Sequence, residues 1–462
     1  MSRSISNRRE FLRSTAALAA AGTVVPYWFT GENARADETE SKNDRPSVGL
    51  IGCGSQGTRD AKWAARFGRI VALCDVDRRQ ADKAKKELDV EADIYGDYRR
   101  LLDRKDVELL INATPDHWHT AINIAACRAG KDIYAEKPLT LTIDEGKILC
   151  KVVEQTGRIV QVGTMQRSER PFQRAVPLVR NGRIGKLKQV WISLPHYSSK
   201  GGPFRKEPMP FELNWDMYQG QAPLHDYTRR RTHGSFRHWQ EYAGGLVADW
   251  GSHHVDIAHW GMDCELSGPI SVEARGQFPN PIGPEYYNTP NRFFCRMFYP
   301  SGLEVLFFVS PREQEKPGKP VDTTPEETEQ LFGADAPEDA KSLNRNGIMF
   351  IGEEGRVLCN RAGARGKAVE ELGDNPLPDD AWKVYPSTDH MLNFFECAKS
   401  RKQPCTPVEI EHRAVTVCHL TNISIRLKRK IAWDPVKQQI TGDDEANAML
   451  QRQQRPPYGI SG

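Results

Sequence analysis

From residue 47 to about 165, short apolar runs alternate with stretches in which apolar residues recur at helical spacing. The runs at 48–51, 70–74, 107–111, 132–135 and 159–162 have strand length, and Ala121, Ile124, Ala125 and Ala129 typify the segments between them. Such alternation predicts a parallel, doubly wound sheet, which binds ligands at the carboxyl ends of its strands. Beyond about 170 the pattern changes. Runs at 187–194, 270–278, 291–299, 303–309 and 347–351 are rich in Val, Ile and Phe, with turn signals such as Pro300-Ser301-Gly302. They predict a mostly antiparallel sheet, with packed helices where helical spacing returns at 389–399 and 409–426. Residues 311–346 are rich in Pro, Glu, Asp and Lys without periodicity and read as a surface insertion or lid.

The first run, Val48 to Ile51, breaks into Gly52-Cys53-Gly54-Ser55-Gln56-Gly57. A strand running into G-x-G-x-x-G predicts a dinucleotide site: the first glycine for the turn, the second for close approach of a pyrophosphate, the third for helix packing. Ser55 and Gln56 open the helix whose amides would hold the phosphates. The second run ends in Asp75, where an acid accepts ribose hydroxyls. Asp75 favours NAD because it repels a 2′-phosphate, while Arg78 and Arg79 leave NADP open.

The N-terminus carries Asn7-Arg8-Arg9-Glu10-Phe11-Leu12-Arg13, an apolar stretch from Ala16 to Val25, and Ala34-Arg35-Ala36 before Asp37. This order predicts a twin-arginine signal over 1–36, read by the twin-arginine export machinery and followed by a flexible leader at 37–46. The chain is then expected in the periplasm or otherwise exported. Free nicotinamide nucleotides are scarce there, so the cofactor is expected to be tightly held. The signal segment holds the whole formal net charge of +3, which leaves the remainder near neutral and argues against a nucleic-acid partner. No run after it is long and apolar enough for a membrane anchor. The ten cysteines are scattered without C-x-x-C and read mostly as buried thiols.

Two clusters carry candidate chemistry. The strand at 132–135 ends in Glu136-Lys137-Pro138, placing a lysine where a nicotinamide ring would lie. Gly244-Gly245 leads to Asp249 and His253, which share a face if a helix begins near Asp249. That pair suits a base with its orienting partner, or alternatively a helix cap and a core histidine. His253, Asp256 and His259 also repeat at helical spacing, but no further ligand is identifiable, so no metal is expected. Tyr197, Arg237, His238 and Trp239 fall in a stretch of aromatic and basic residues suited to sugars, and Gln166 follows another strand towards the same cleft.

These motifs together with Thr114-Pro115-Asp116-His117-Trp118-His119 resemble the Gfo/Idh/MocA family, which includes inositol dehydrogenases and glucose-fructose oxidoreductase. The resemblance covers nearly all of the chain after the signal. It implies an α/β protein: an N-terminal Rossmann domain at 47–168, then a C-terminal α/β domain at 169–435 with an open, mostly antiparallel sheet, and a tail at 436–462. It implies a homo-oligomer that transfers hydride between NAD(P) and a carbinol of a small carbohydrate or polyol. Lys137, Asp249 and His253 match the family's residues around the reacting carbinol. Gly52, Gly54, Ser55, Gln56, Gly57, Asp75, Thr114, Pro115, His119, Glu136 and Lys137 are the expected cofactor contacts. An NAD-dependent glycoside hydrolase or lyase working through transient oxidation is a second class, with Tyr197, His233 or His238 as its additional acid or base, and a non-catalytic binder is a third.

Overall fold

The computed structural model describes residues 45–195, 199–281, 283–309 and 346–460. The signal segment and leader up to 44, Tyr197, and all but the last residue of the 311–346 insertion lie outside them.

Six strands form a first, wholly parallel sheet: β1 (Ser47–Ile51), β2 (Arg69–Cys74), β3 (Asp93–Tyr95), β4 (Leu109–Asn112), β5 (Asp132–Ala135) and β6 (Val160–Val162). Their order is β3-β2-β1-β4-β5-β6, with the switch point beside β1. Period two explains why both faces are covered. Leu109 and Ile111 point into one buried cluster and Leu110 into another, as do Tyr134 against Ile133 and Ala135. Helix α1 (Ser55–Ala64) packs on one face, and α2 (Asp116–Arg128) and α3 (Ile143–Thr156) on the other.

Among the described residues the second sheet has nine strands, adding β7 (Leu187–Leu194), β8 (Ser271–Gln277), β9 (Arg292–Phe298), β10 (Glu304–Val309), β11 (Gly347–Gly352), β12 (Arg356–Asn360), β13 (Gly363–Arg365), β14 (Ile431–Asp434) and β15 (Gln439–Thr441). Its order is β13-β12-β11-β7-β10-β9-β8-β14-β15, antiparallel except where β10 runs parallel to β7. Alternation again sorts the residues. Val190, Ile192, Phe293, Cys295, Val305 and Phe307 face helices α4 (Gly245–Asp249), α5 (Gly251–Met262) and α7 (Val408–Leu427), while Trp191, Phe294, Leu306 and Phe308 form a cluster on the opposite face. Helix α6 (His390–Ser400) belongs instead to the first sheet, adding Met391 and Phe394 to its core.

Two expectations change. The helix read as starting near Asp249 is two consecutive helices, with Asp249 closing α4 and His253 in the first turn of α5. The described part of the tail, 436–460, is packed: β15 extends the second sheet, Arg452 pairs with Glu145 at 2.8 Å, and Arg455 and Tyr458 bond Asp216 at 2.7 and 2.6 Å. All ten cysteines are free thiols, eight of them buried.

Gly57 sets the distance between α1 and the strand before it. A Cβ there would lie 2.0 Å from the Gly52 carbonyl oxygen, so α1 would have to move. Gly57→Ala is therefore expected to lower stability by about 1–3 kcal/mol, the usual range for overpacking; an unchanged urea midpoint would contradict this reading.

Candidate active site

The glycine turn is built for a ligand that comes close to backbone. Gly52 has φ +89° and its amide bonds the Cys74 carbonyl at 2.9 Å, which turns the chain off β1. A Cβ on Gly54 would meet nothing within 4 Å: the open side of this residue faces a cavity of about 320 Å³ rather than protein. Gly54, Ser55 and Gln56 line that cavity, with Asp75 at the end of β2, Thr114 and Pro115 after β4, and Glu136 and Lys137 after β5. Four strand ends thus converge as the switch-point rule requires.

Asp75 is fixed by two backbone amides, Cys53 to Oδ2 and Asp77 to Oδ1, both at 2.8 Å. Burial raises its pKa to about 6 against the lowering effect of those amides. Arg79 does not offer itself to a phosphate, because its guanidinium clasps Asp77 at 2.7–2.8 Å, and Arg78 pairs with Asp82 at 2.9 Å. The acid and the occupied arginines fit the unphosphorylated ribose of NAD. The open glycine, the helix amides and the anchored acid together form a cradle that the cofactor fits.

Glu136 is bonded by Gln56 Nε2 at 3.1 Å and by the Lys137 amide at 3.2 Å, tying α1 to the β5 turn. His119 braces the same turn: its ring nitrogens contact the Pro138 and Thr114 carbonyls at 2.6 and 2.7 Å, although burial pulls its pKa down. Lys137 then reaches across to the second layer. Its Nζ donates to Asp249 Oδ1 at 2.7 Å and to the Asp249 carbonyl at 3.1 Å. Arg237 Nε contacts the same Oδ1 at 3.3 Å. Burial alone would raise the Asp249 pKa, but the two cations hold it down to about 2.

His253 lies one turn beyond Asp249, 4% exposed, and its Nδ1 has no hydrogen-bond partner. Burial first, then the charges of Lys137 and Arg361, push its pKa well below the usual imidazole range, so it is neutral at working pH. It is not among the side chains lining the large cavity. Its supposed metal partners diverge: Asp256 binds Arg167 at 2.6 Å and His259 binds Tyr299 at 2.7 Å.

Among the described residues, Arg237 is the one sugar-contact candidate that lines the cavity. Trp239 is fully buried, donates to the Arg230 carbonyl at 2.7 Å and lies under the Arg231 guanidinium; it is a core residue of the segment, contrary to the expectation of a sugar platform. His238 packs against Tyr287, their ring centroids 4.5 Å apart. Gln166 is fully buried; with its amide set to satisfy both ends, it donates to the His253 carbonyl at 3.0 Å and accepts from Arg361 at 3.1 Å. It therefore supports the first turn of α5 rather than lining the cavity.

Two features escaped sequence reasoning. The first is a cover. Residues 212–237 fold back over the cavity, with Arg78 and Asn214 amides bonding the Glu212 and Val76 carbonyls at 3.0 and 2.9 Å, and His233 meeting Asp77 at 3.2 Å. Met217, Tyr218, His233 and Phe236 of this cover face the glycine turn across the cavity. The second is Asp116, at the first position of α2, 4% exposed and lining the cavity. Burial raises its pKa to about 7, against the opposing charges of Arg237 and Lys137 and the nearby Gly244 backbone amide. Only its place in the Thr114-to-His119 motif hinted at it.

Comparison with known proteins agrees with this geometry. Residues 47–164 match the Gfo/Idh/MocA description "Oxidoreductase family, NAD-binding Rossmann fold", and 191–286 with 356–460 match "Oxidoreductase family, C-terminal alpha/beta domain". An inositol 2-dehydrogenase of Pseudomonas savastanoi pv. phaseolicola is 30% identical over 243 residues, which cover 50% of this chain and 71% of that protein. An inositol 2-dehydrogenase of Salmonella paratyphi B is 29% identical over 165 residues, 35% of this chain; the match spans 48%, about half, of the relative's length. The fold is shared with an aldose-aldose oxidoreductase from Caulobacter crescentus complexed with glycerol, at TM-score 0.59 and 18% identity, covering 84% of this chain and 99% of that one.

The raised pKa of Asp116 has a signed consequence in nucleotide-free protein. The folded state holds this proton more tightly than the unfolded chain, so its contribution is intact below about pH 4 and is lost as pH rises towards about 7. Asp116→Asn should flatten that decline and raise stability at pH 8 by of order 1–4 kcal/mol. Urea titrations at pH 4, 6 and 8 measure it, and parallel curves for variant and wild type would remove the assignment.

Proposed function

Since this chain belongs to the Gfo/Idh/MocA oxidoreductase family, we propose that it oxidises or reduces a carbinol centre of a sugar, polyol or related carbohydrate with a tightly held NAD. The observation that carries this reading is the buried Lys137–Asp249 pair at 2.7 Å, joined to the cavity that the glycine turn and Asp75 define. When bound, NAD supplies the hydride acceptor. The chain supplies position and proton control. With Asp249 fixing Lys137 Nζ through two bonds, one ammonium proton remains to hold the substrate oxygen and to stabilise negative charge on it as the C–H bond breaks. His253, one turn beyond Asp249 and with its Nδ1 unpartnered, is the group assigned to take the hydroxyl proton, a role that requires its ring to reach the substrate from behind the cavity wall. Arg237 at the cavity wall binds a neighbouring hydroxyl, and the 212–237 cover excludes water.

The cover also supports slow exchange of the nucleotide. Cofactor retention suits the export expected from the N-terminal twin-arginine pattern, since regeneration then occurs on the protein itself. Fractionation of expressing cells tests export, and size-exclusion chromatography tests the homo-oligomer that belongs to the same reading.

A second reading has one specific observation in its favour. Redox-assisted cleavage of a glycoside needs a further acid or base besides the oxidising set, and Asp116, its pKa near 7 and its side chain in the cavity, is suited to it. Asp116→Asn separates the two: ketone formation survives without release of the glycosidic substituent if cleavage is the natural reaction.

Lys137→Ala is expected to lower turnover by about 10²–10³-fold, the range for loss of a positioned charge donor, while nucleotide released by denaturation stays stoichiometric. Unchanged turnover would end the catalytic assignment. Gly54→Val should instead leave the urea midpoint in place and abolish nucleotide retention, because its side chain enters space that only the ligand uses.

A further inference from the structure

A second cavity of about 170 Å³ has Gly244 in its wall and shares no lining residue with the first. Thr142 before α3, Thr289 before β9, Asn422 and Arg426 of α7, and Arg452 near the C-terminus line it. Arg426 is the unusual member. Among the described residues it has no carboxylate within 4 Å, and its one close polar contact is a long bond to the Asn288 carbonyl at 3.4 Å. The nearest acid acting on it is Glu241, whose oxygens are already committed to Arg231 at 2.9 Å, His225 at 3.2 Å and Asn288 at 2.9 Å. Burial consequently pulls the Arg426 pKa down to about 10. Arg452 adds no free charge, being paired with Glu145 at 2.8 Å.

Two further polar groups at this cavity are unmet. The Thr289 hydroxyl, on a side chain 2% exposed, and the buried Thr142 hydroxyl have no hydrogen-bond partner. A guanidinium with no carboxylate partner among the described residues, beside two unsatisfied hydroxyls, is the donor set of an anion site, since charges and polar groups withdrawn from water are ordinarily paired. We propose that this cavity binds a small oxyanion, a carboxylate or a phosphate group, with Arg426 as its counter-charge and the Thr142 and Thr289 hydroxyls as donors.

Its position links it to the catalytic cavity through one residue, Gly244. The Gly244 carbonyl accepts from Asn422 Nδ2 at 2.9 Å, and the backbone amide of the same residue is close enough to Asp116 to favour its carboxylate. Occupancy beside Asn422 therefore acts on the carboxyl group that lines the nucleotide cavity. The inference does not depend on the proposed reaction, and binding is read without turnover.

The test uses the full chain saturated with NAD, so that the nucleotide's phosphate cradle is filled. Inorganic phosphate and acetate are titrated separately by calorimetry against chloride at equal ionic strength, which distinguishes a phosphate ligand from a carboxylate. One of the two should bind stoichiometrically. Arg426→Gln should weaken it by about tenfold or more, the scale of one charge-assisted hydrogen bond, and Thr289→Val should weaken it with the charge left in place. Arg426→Gln removes a half-buried charge that has no carboxylate partner among the described residues and so should fold. Coupling is read as a change in NADH affinity when the anion is present, lost in Asn422→Ala. Absence of binding by both anions, or binding unaltered in Arg426→Gln and Thr289→Val, overturns the site; binding with no effect on NADH affinity overturns the link through Gly244.

Discussion

The Lys137–Asp249 ion pair is the interaction on which the arrangement of this molecule turns. It joins the carboxyl edge of the first sheet to a helix of the second layer, and both partners are about 15% exposed. Two charges placed there are costly to desolvate, and removing either leaves the other uncompensated. Much of the surrounding structure is consistent with that demand. His119 clamps the turn that carries Lys137, Gln56 ties it to α1 through Glu136, Arg237 shares the load on Asp249, and Gln166 secures the next turn, which holds His253. A site that separates charge during reaction requires this rigidity, because donors fixed beforehand need no reorganisation when charge develops.

The cofactor cradle follows a second constraint, the limited space between β1 and α1. Gly57 brings helix and strand together, Gly54 leaves room on the cavity side, and Asp75 is anchored by the amides around it. The cover at 212–237 completes the enclosure from the second layer, and the C-terminal segment bonds Asp216 within it. Residues remote in sequence therefore line the nucleotide cavity together with the glycine turn.

Much of this was legible in the sequence because the relevant signals are local. The apolar runs gave five strands of the first sheet, although three-residue β3 was too short to register, and the glycine turn, Asp75, Lys137 and Asp249 stand at strand or helix ends where spacing is informative. What was illegible depends on tertiary packing. Trp239 has the composition of a sugar platform but is consumed by Arg231 and the Arg230 carbonyl. The arginines after Asp75 looked available and are paired, and the parallel β7–β10 contact cannot be read from hairpin-like punctuation. Asp116 was hidden for a different reason: an acid at the first turn of a helix is ordinarily a solvated cap, and only burial gives it another character.

The central claim is that the Lys137–Asp249 corner holds a substrate carbinol against NAD. Its most direct measurement follows deuterium from C-deuterated aldoses and cyclitols into NAD bound to the protein, read by mass spectrometry after denaturation. The account requires deuterium in the nicotinamide ring with a reactive substrate, whether or not a later step returns it. Conversion of a deuterated substrate with no label reaching the bound nucleotide at any time in a single turnover would contradict it.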